Sequence, residues 1–182
     1  MDLGLQDQVA LVTASSKGLG KAAALQLARE GVRLALCARG DELDQTADEI
    51  RTETGVEVKT FKVDLLDPNQ IADMVKKTLE AHSKIDILVT NAGGPPPGNF
   101  MDLSPADWRK AVELTLMSAV ELSYAVVPHM IEQGSGCITA IQSVSVKQPI
   151  DNLILSNMAR AGLEATDRFC LARRWQSKEA RA

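Results

Sequence analysis

The amino-acid sequence predicts an α/β fold in which a parallel sheet is covered on both faces by helices. Two observations support this prediction. Apolar runs that are typical of buried strands alternate along the chain with segments of helical periodicity. In addition, the first apolar run, residues 9–12, is joined to an alanine-rich helical segment by a turn that contains Gly18 and Gly20. A turn of this kind is typical of a strand that leads directly into a helix.

The first half of the chain contains three predicted strand and helix pairs. After the first pair we expect a strand at 32–38, a helix from about residue 41 to near residue 55, a strand at 56–63, and a helix from residue 68 to about residue 82. Asp41 and Asp67 precede the second and third helices and can cap them, and Pro68 occupies the first helical position of the third.

The second half continues the alternation. We expect a strand at 85–90, a rigid proline-containing loop at 95–98, a helix from residue 105 to about residue 130, a strand at 136–141, and a last helix from about residue 152 into the 160s. Ser104 and Pro105 repeat the cap and proline signal at the start of the long helix. The inventory therefore contains five strands.

Composition limits the classes of protein to which the chain can belong. Its 182 residues suffice for one domain, and its 45% hydrophobic and 24% charged residues are ordinary for a soluble globular protein. A net charge of -4 argues against a protein that binds nucleic acid. The chain has no apolar run of membrane-spanning length and no secretion signal at its start, so we expect a cytoplasmic protein that does not bind membranes.

The cysteine and histidine residues show no spacing that is typical of disulfides or metal sites. Cys37, Cys137 and Cys170 are scattered in apolar settings, so we expect buried free thiols. His82 and His129 lie near predicted helix ends, which favours surface or capping roles. We therefore predict no metal.

The glycine turn after the first strand indicates phosphate binding. Small residues let the backbone approach a phosphate closely, and the free N–H groups at the start of the next helix attract the anion. Gly18 and Gly20 therefore point to a nucleotide pyrophosphate. The first glycine of the dinucleotide pattern is replaced by Ala14, so a tight strand-to-helix turn without a ligand is the alternative interpretation.

Polar motifs follow three further strands. Asp64 and Leu65 follow the third strand, the stretch 91–93 follows the fourth, and Ser143 follows the fifth. Open α/β sheets bind ligands at this edge. In order and spacing the motifs resemble the short-chain dehydrogenase/reductase family over about residues 5–170. They are most similar to its 3-oxoacyl-[acyl-carrier-protein] reductase-like members, including those with the Asn-x-Gly-Gly-Pro-Pro stretch that occurs here at 91–96.

The resemblance implies a Rossmann-type doubly wound sheet of three α/β/α layers, truncated after the helix that follows strand five. It implies one dinucleotide-binding domain over 1–172, incomplete at its C-terminal end, and a polar tail at 173–182. It also implies a set of residues that bind the coenzyme: Thr13, Ser15, Ser16, Lys17, Gly18, Leu19, Gly20, Arg39, Asp64, Leu65, Asn91, Ala92 and Gly93. For Asp64 a helix cap, and for 91–93 a simple turn, are the alternative interpretations.

Charge beyond the second strand bears on the choice of coenzyme. NAD-binding sites place a carboxylate at this strand end for the ribose hydroxyl, whereas NADP requires a cation for its additional phosphate. The strand here is followed by Arg39, and Lys17 lies in the glycine turn, so NADP is favoured over NAD. Asp41 is the alternative carboxylate, but it serves better as a helix cap. An ordinary surface charge is the alternative interpretation of Arg39.

The catalytic positions implied by the resemblance are atypical. Family members use a serine, a tyrosine, a lysine and an asparagine, and the corresponding positions here are Ser143, Ser156, Arg160 and Thr115. A serine hydroxyl has too high a pKa to exchange its proton near neutral pH without a base, and an arginine stays charged. Either Lys147 relays the proton, or Ser143 and Arg160 polarise the carbonyl while water supplies it.

The predicted function is therefore reduction of a small-molecule ketone or acyl thioester, such as a 3-oxoacyl substrate, by NADPH. The alternatives are an NADP-binding module without turnover and an inactive truncated fragment. The long helix and the last helix resemble those that pair across a two-fold axis in the family, so we expect a homo-oligomer, most simply a dimer.

Overall fold

Five parallel strands form the central sheet of the computed structural model, which describes residues 3–172 and side chains as far as residue 165. The strands lie in the order β3-β2-β1-β4-β5. Their bounds are β1 Val9–Val12, β2 Arg33–Ala38, β3 Val58–Lys62, β4 Ile87–Thr90 and β5 Cys137–Ala140. The strand order reverses between β1 and β4, so the predicted doubly wound sheet is confirmed. The predicted polar tail at 173–182 lies outside the described residues.

Six α-helices in the described part of the chain connect and cover the strands. Their bounds are α1 Gly18–Arg29, α2 Glu42–Thr54, α3 Pro68–His82, α4 Pro105–Val112, α5 Ser118–Gln133 and α6 Ile154–Ala172. Because successive strand side chains point to opposite faces, two separate core layers form. Ala10 and Val12 pack with α1 and α2 on one face, whereas Leu11 packs with α3 and α5 on the other. The result is the expected three-layer α/β/α arrangement.

The predicted long helix over 105–130 is not continuous. A π-helical turn, Glu113–Met117, separates α4 from α5. The whole segment Pro105–Gln133 is long and apolar enough to resemble a membrane span by composition alone. Leu122, Val126 and Met130 are instead buried against the sheet, which accounts for the apolar face of α5.

Capping chemistry at two helix starts differs. Asp67 caps α3, since its carboxylate accepts hydrogen bonds from the backbone N–H groups of Asn69 at 2.9 Å and Gln70 at 3.4 Å. Asp41 precedes α2, but its carboxylate makes no capping bond, so that prediction is wrong. The carboxylate instead accepts a hydrogen bond from Lys62, at 2.6 Å. The Asp41 carboxylate is therefore paired with a cation and not with the start of the helix.

Two predictions about cysteine and histidine are also wrong. Cys137 is exposed because it begins β5, which pairs with β4 alone among the described strands. His82 is buried at the end of α3, whereas His129 is exposed as expected. Cys37 is buried as predicted, and burial raises the pKa of its thiol to about 12. The side chain of Cys170 lies outside the described part of the chain.

Candidate functional site

A cleft of about 380 Å³ opens at the carboxyl ends of the strands. We call it the strand-end cleft. It unites turns that follow four different strands, and eight of the predicted coenzyme residues line it: Ser16, Lys17, Arg39, Asp64, Leu65, Asn91, Ala92 and Gly93. A hollow of about 650 Å³ at the opposite edge of the sheet contains none of the predicted site residues. The structure therefore brings most of the predicted set to one place.

Two fully buried hydroxyl residues, Thr13 and Ser15, support the floor of the cleft. The Thr13 hydroxyl accepts a hydrogen bond from the backbone N–H of Asn91 at 2.8 Å and donates to the Asn91 carbonyl at 2.6 Å. The backbone N–H and the hydroxyl of Ser15 both donate to the Cys37 carbonyl, at 3.0 and 3.3 Å. Thr13 therefore links the end of β1 to the residue after β4, and Ser15 links the loop after β1 to β2; neither residue lines the cleft.

Ala14 and Gly20 fix the close approach of β1 and α1. Ala14 has a φ of 45°, in the left-handed region that glycine adopts without strain, and its carbonyl accepts from the Asn91 side-chain amide at 3.2 Å. A Cβ atom at Gly20 would lie only 2.4 Å from the Ala14 carbonyl oxygen. Gly20 is therefore required for packing, while Ala14 carries the strain that the usual glycine would avoid.

The start of α1 fits an anionic group. Lys17 precedes the helix and makes no side-chain capping bond, and the first turn contains no acidic side chain. Its N–H groups thus have no carboxylate that competes for them. Gly18 has a φ of 59° and open space where a Cβ would lie, so backbone is accessible to a ligand there, and Leu19 beside it is 67% exposed. These features match a pyrophosphate cradle.

Charged side chains surround the part of the cleft beyond β2. Arg39 is exposed and has no ion-pair partner within residues 3–165. Lys17 lies 3.4 Å from the Glu42 carboxylate. The hydrogen bond from Lys62 lowers the pKa of Asp41, so this carboxylate is ionised at neutral pH. Arg39 is therefore the cation in the cleft that is available to a phosphate.

The residues after β3 form a turn rather than a cap. The Asp64 carboxylate accepts from the backbone N–H of Leu66 at 3.1 Å, and the Asp64 backbone N–H donates to the Gln70 side chain at 2.9 Å. Since Asp67 caps α3, the alternative role of Asp64 as the helix cap does not apply. Asp64 and Leu65 remain in the wall of the cleft.

Arg160 links the last helix to the end of β5. Its Nη1 donates to the Ile141 carbonyl at 2.8 Å and its Nε donates to the Ser156 hydroxyl oxygen at 3.3 Å. Burial lowers the pKa of Arg160, and no carboxylate among the described side chains forms an ion pair with it. A guanidinium still holds its proton at neutral pH. Arg160 is thus a partly buried cation whose remaining N–H groups can donate to an electron-rich group.

Thr115 and Arg160 line one small cavity together with Thr90 and Asn91. The cavity measures about 10 Å³, and the hydroxyls of Thr90 and Thr115 are buried without a protein partner in the described part of the chain. The π-helical turn carries Thr115 to this position. The volume and the polar lining suit one bound water molecule. Apolar periodicity in the sequence does not signal a π turn, so this geometry could not be predicted.

Ser143 and Lys147, two further predicted catalytic residues, do not line this small cavity. The Ser143 hydroxyl oxygen accepts from the backbone N–H of Ser145 at 3.1 Å, immediately beyond β5. Lys147 does not line the cavity of Thr115 and Arg160; it is exposed, and its ammonium lies 3.4 Å from the Glu164 carboxylate. Lys147 is thus engaged in an ion pair at the surface, and its role as a proton relay stays a prediction.

The doubly wound parallel sheet, with a glycine turn and a cleft at its switch point, defines a Rossmann-type fold, the class of fold that binds nucleotides. The short chain dehydrogenase family matches residues 8–168, and the chain belongs to this family.

Two curated relatives are reductases or dehydrogenases. The chain is 34% identical to the very-long-chain 3-oxoacyl-CoA reductase of Anas platyrhynchos over 157 residues, which cover 84% of the chain and 50% of the relative. It is 32% identical to dehydrogenase/reductase SDR family member 4 of Sus scrofa over 161 residues, 87% of the chain and 57% of the relative. The chain thus spans about half the length of these relatives.

Solved structures with both coenzymes share the fold. L-sorbose reductase from Gluconobacter frateurii, complexed with NADPH and L-sorbose, superposes with a TM-score of 0.91 and 32% identity over 94% of this chain and 66% of that one. NAD+-bound xylitol dehydrogenase superposes with a TM-score of 0.86 and 26% identity over 92% of this chain and 66% of that one. The fold is therefore compatible with either coenzyme.

Proposed function

We propose that the chain acts as an NADPH-dependent oxidoreductase that reduces a small-molecule ketone, such as a 3-oxoacyl thioester. One observation carries the proposal: turns after β1, β2, β3 and β4 form a single cleft. This cleft includes Lys17, which precedes a helix start without acidic side chains, and Arg39, which has no ion-pair partner among the described side chains. The family membership and the reductase relatives support the reaction class.

The residues of the cleft have distinct proposed roles in binding. The N–H groups at the start of α1 bind the pyrophosphate, Arg39 binds the phosphate on the adenosine ribose, and Asn91, Ala92 and Gly93 line the nicotinamide side. The Lys17 ammonium is less available to the same phosphate, because it already forms an ion pair with the Glu42 carboxylate. Binding of NADPH should therefore depend on Arg39 more than on Lys17.

NADPH, when bound, supplies a hydride to the carbonyl carbon of the substrate. We propose that the Ser143 hydroxyl donates a hydrogen bond to the carbonyl oxygen and that Arg160 stabilises the negative charge that develops there. Neither side chain gives up a proton near neutral pH. A water molecule therefore supplies the proton that the carbonyl oxygen needs after hydride transfer, which gives the alcohol. Ser156, whose oxygen accepts from Arg160, positions the guanidinium.

Oxidation of NADPH in the presence of a short 3-oxoacyl thioester tests this proposal. We expect slow turnover that falls about 100-fold in Ser143→Ala, since this is the usual effect of removing one donor to a developing oxyanion. Ser123→Ala is the matched control, because the Ser123 hydroxyl only donates to the Ala119 carbonyl within α5. Equal turnover in both variants would contradict the role of Ser143.

Coenzyme binding without turnover is the second candidate function. It is favoured by Ser156 and Arg160, because neither offers a pKa near neutrality for proton transfer. Saturable binding of NADPH without its oxidation would support this function. A protein that does neither would correspond to an inactive fragment.

We also propose that two copies of the chain associate. Tyr124 is 77% exposed and Ile131 is 51% exposed, and both project from the face of α5 opposite Leu122 and Val126. Two exposed apolar side chains on one face of a surface helix favour contact with a second copy.

A further inference from the structure

The carboxylate of Asp41 points away from the strand-end cleft. Gly40 and Glu42, its two neighbours in the chain, both line the cleft, whereas Asp41 does not. The Asp41 side chain is 94% exposed. Its carboxylate caps no helix, so no bond to the start of α2 fixes its direction.

Lys62, at the end of β3, holds this carboxylate outside the strand-end cleft. Lys62 is the last residue of β3 and pairs in register with Ala38, the last residue of β2. Its ammonium donates to Asp41 at 2.6 Å and lies 3.7 Å from Asp44. Asp44 is held in turn by the Thr60 hydroxyl, at 3.0 Å. Among the described residues, Lys62 is the one hydrogen-bond partner of the Asp41 carboxylate.

A released Asp41 carboxylate would change the chemistry of the cleft. Arg39 lies two residues before Asp41, and nothing lies within 4 Å of the Cβ position of Gly40 between them. Because the Asp41 side chain is exposed, its carboxylate can rotate toward Arg39 once Lys62 no longer binds it. A carboxylate there repels the additional phosphate of NADPH and neutralises Arg39. The same carboxylate accepts hydrogen bonds from the free ribose hydroxyl of NADH.

We propose that Lys62 is a positioning residue for coenzyme choice, which favours NADPH over NADH by holding Asp41 away from the cleft. This inference rests on the proposed binding of a nicotinamide dinucleotide in the strand-end cleft. Lys62 does not line the cleft, so it acts through Asp41.

Fluorescence titration of NADPH and NADH with Lys62→Met tests the proposal. The quantity measured is the ratio of the NADH dissociation constant to the NADPH dissociation constant. Because the pair is exposed, we expect this ratio to fall only about threefold from its value in the unmodified chain. Lys62→Arg retains the cation and should retain the ratio.

Lys59→Met is the matched control. Lys59 lies on the same strand with similar exposure, and its ammonium lies 3.1 Å from Glu57, near the opposite end of β3. This variant removes the same charge from the chain without releasing Asp41. We therefore expect its ratio to equal that of the unmodified chain.

The double variant Lys62→Met/Asp41→Asn distinguishes positioning from a direct effect of the lysine charge. If Lys62 acts through Asp41, removing the lysine has no effect on the ratio in the Asp41→Asn background. The inference is overturned if Lys62→Met lowers this ratio as much in the Asp41→Asn background as in the unmodified chain. It is also overturned if Lys62→Met and Lys59→Met give the same ratio. Absence of binding of either coenzyme to the unmodified chain overturns the proposed function as well.

Discussion

Ala14 has a backbone conformation that disfavours its side chain. Its φ of 45° places an alanine in the left-handed region, which costs an L-residue about 1–2 kcal/mol. We therefore predict that Ala14→Gly stabilises the protein by about 1 kcal/mol, because relief of the strain exceeds the entropy that glycine adds to the unfolded chain. Urea unfolding measures the free-energy change.

Ala72→Gly provides the control for this prediction. Ala72 is exposed within α3, where the backbone is regular, so the same substitution should cost about 1 kcal/mol there. Opposite signs for the two variants would confirm strain at Ala14. A loss of stability in both would refute it.

His82 makes stability depend on pH. Its side chain is fully buried, with Nδ1 3.7 Å from a Glu57 carboxylate oxygen, and burial lowers its pKa despite the opposing effect of Glu57. The unfolded chain therefore binds a proton more readily than the folded chain. The contribution of neutral His82 is complete above a pH of about 6.5 and is lost as the pH falls toward the folded pKa.

Chemical unfolding at several pH values between about 5 and 8 measures this effect. We expect the free energy of unfolding to decline below pH of about 6.5 in the unmodified chain and to decline less in His82→Leu. His129→Gln should behave like the unmodified chain, because His129 is exposed. The same pH profile in His82→Leu and the unmodified chain would exclude His82 as the cause.

At the scale of elements, the junction of β1 and α1 depends on Gly20. A Cβ there would lie 2.4 Å from the Ala14 carbonyl oxygen and 2.9 Å from the Asn91 side-chain nitrogen, so Gly20→Ala forces the helix away from the sheet. We expect a loss of about 1–3 kcal/mol in stability and weaker coenzyme binding. Gly94→Ala is the control, since nothing lies within 4 Å of its Cβ position. Equal stability of the two variants would contradict the packing argument.

Elements with local signals are the ones that the sequence predicts well. The bounds of β1 and α3 are as expected, because an apolar run fixes the strand and Asp67 with Pro68 fixes the start of the helix. The π-helical turn Glu113–Met117 has no such signal, since its hydrogen-bond register leaves no mark on apolar spacing. The π-helical turn contains Thr115 and therefore decides which cavity this side chain lines.

In the candidate site, too, some features follow from the sequence and others depend on tertiary contacts. The turns after four strands converge because parallel strands bring their carboxyl ends to one edge, which the order of elements already implies. The ion pair of Lys62 with Asp41 and that of Lys147 with Glu164 join residues that are 21 and 17 positions apart. Burial of His82 likewise depends on tertiary packing. The spacing of residues within one element does not reveal contacts between residues that are far apart in the sequence.

At the scale of the whole molecule, we expect the exposed face of α5 to govern association. Tyr124→Glu places a charge in the proposed contact, so it should shift the protein from dimer to monomer in sedimentation velocity at micromolar concentration. Lys76→Glu on α3 is the control, because Lys76 is exposed on another helix. A single monomeric species for the unmodified chain would contradict the proposed dimer.

The central claim is that the strand-end cleft binds a nicotinamide dinucleotide through the start of α1. Calorimetric titration of the folded chain with NADPH tests it most directly. We predict saturable binding of one coenzyme per chain, weakened in Arg39→Ala more for NADPH than for NADH. Folded protein that shows no saturable binding of either coenzyme would contradict the claim.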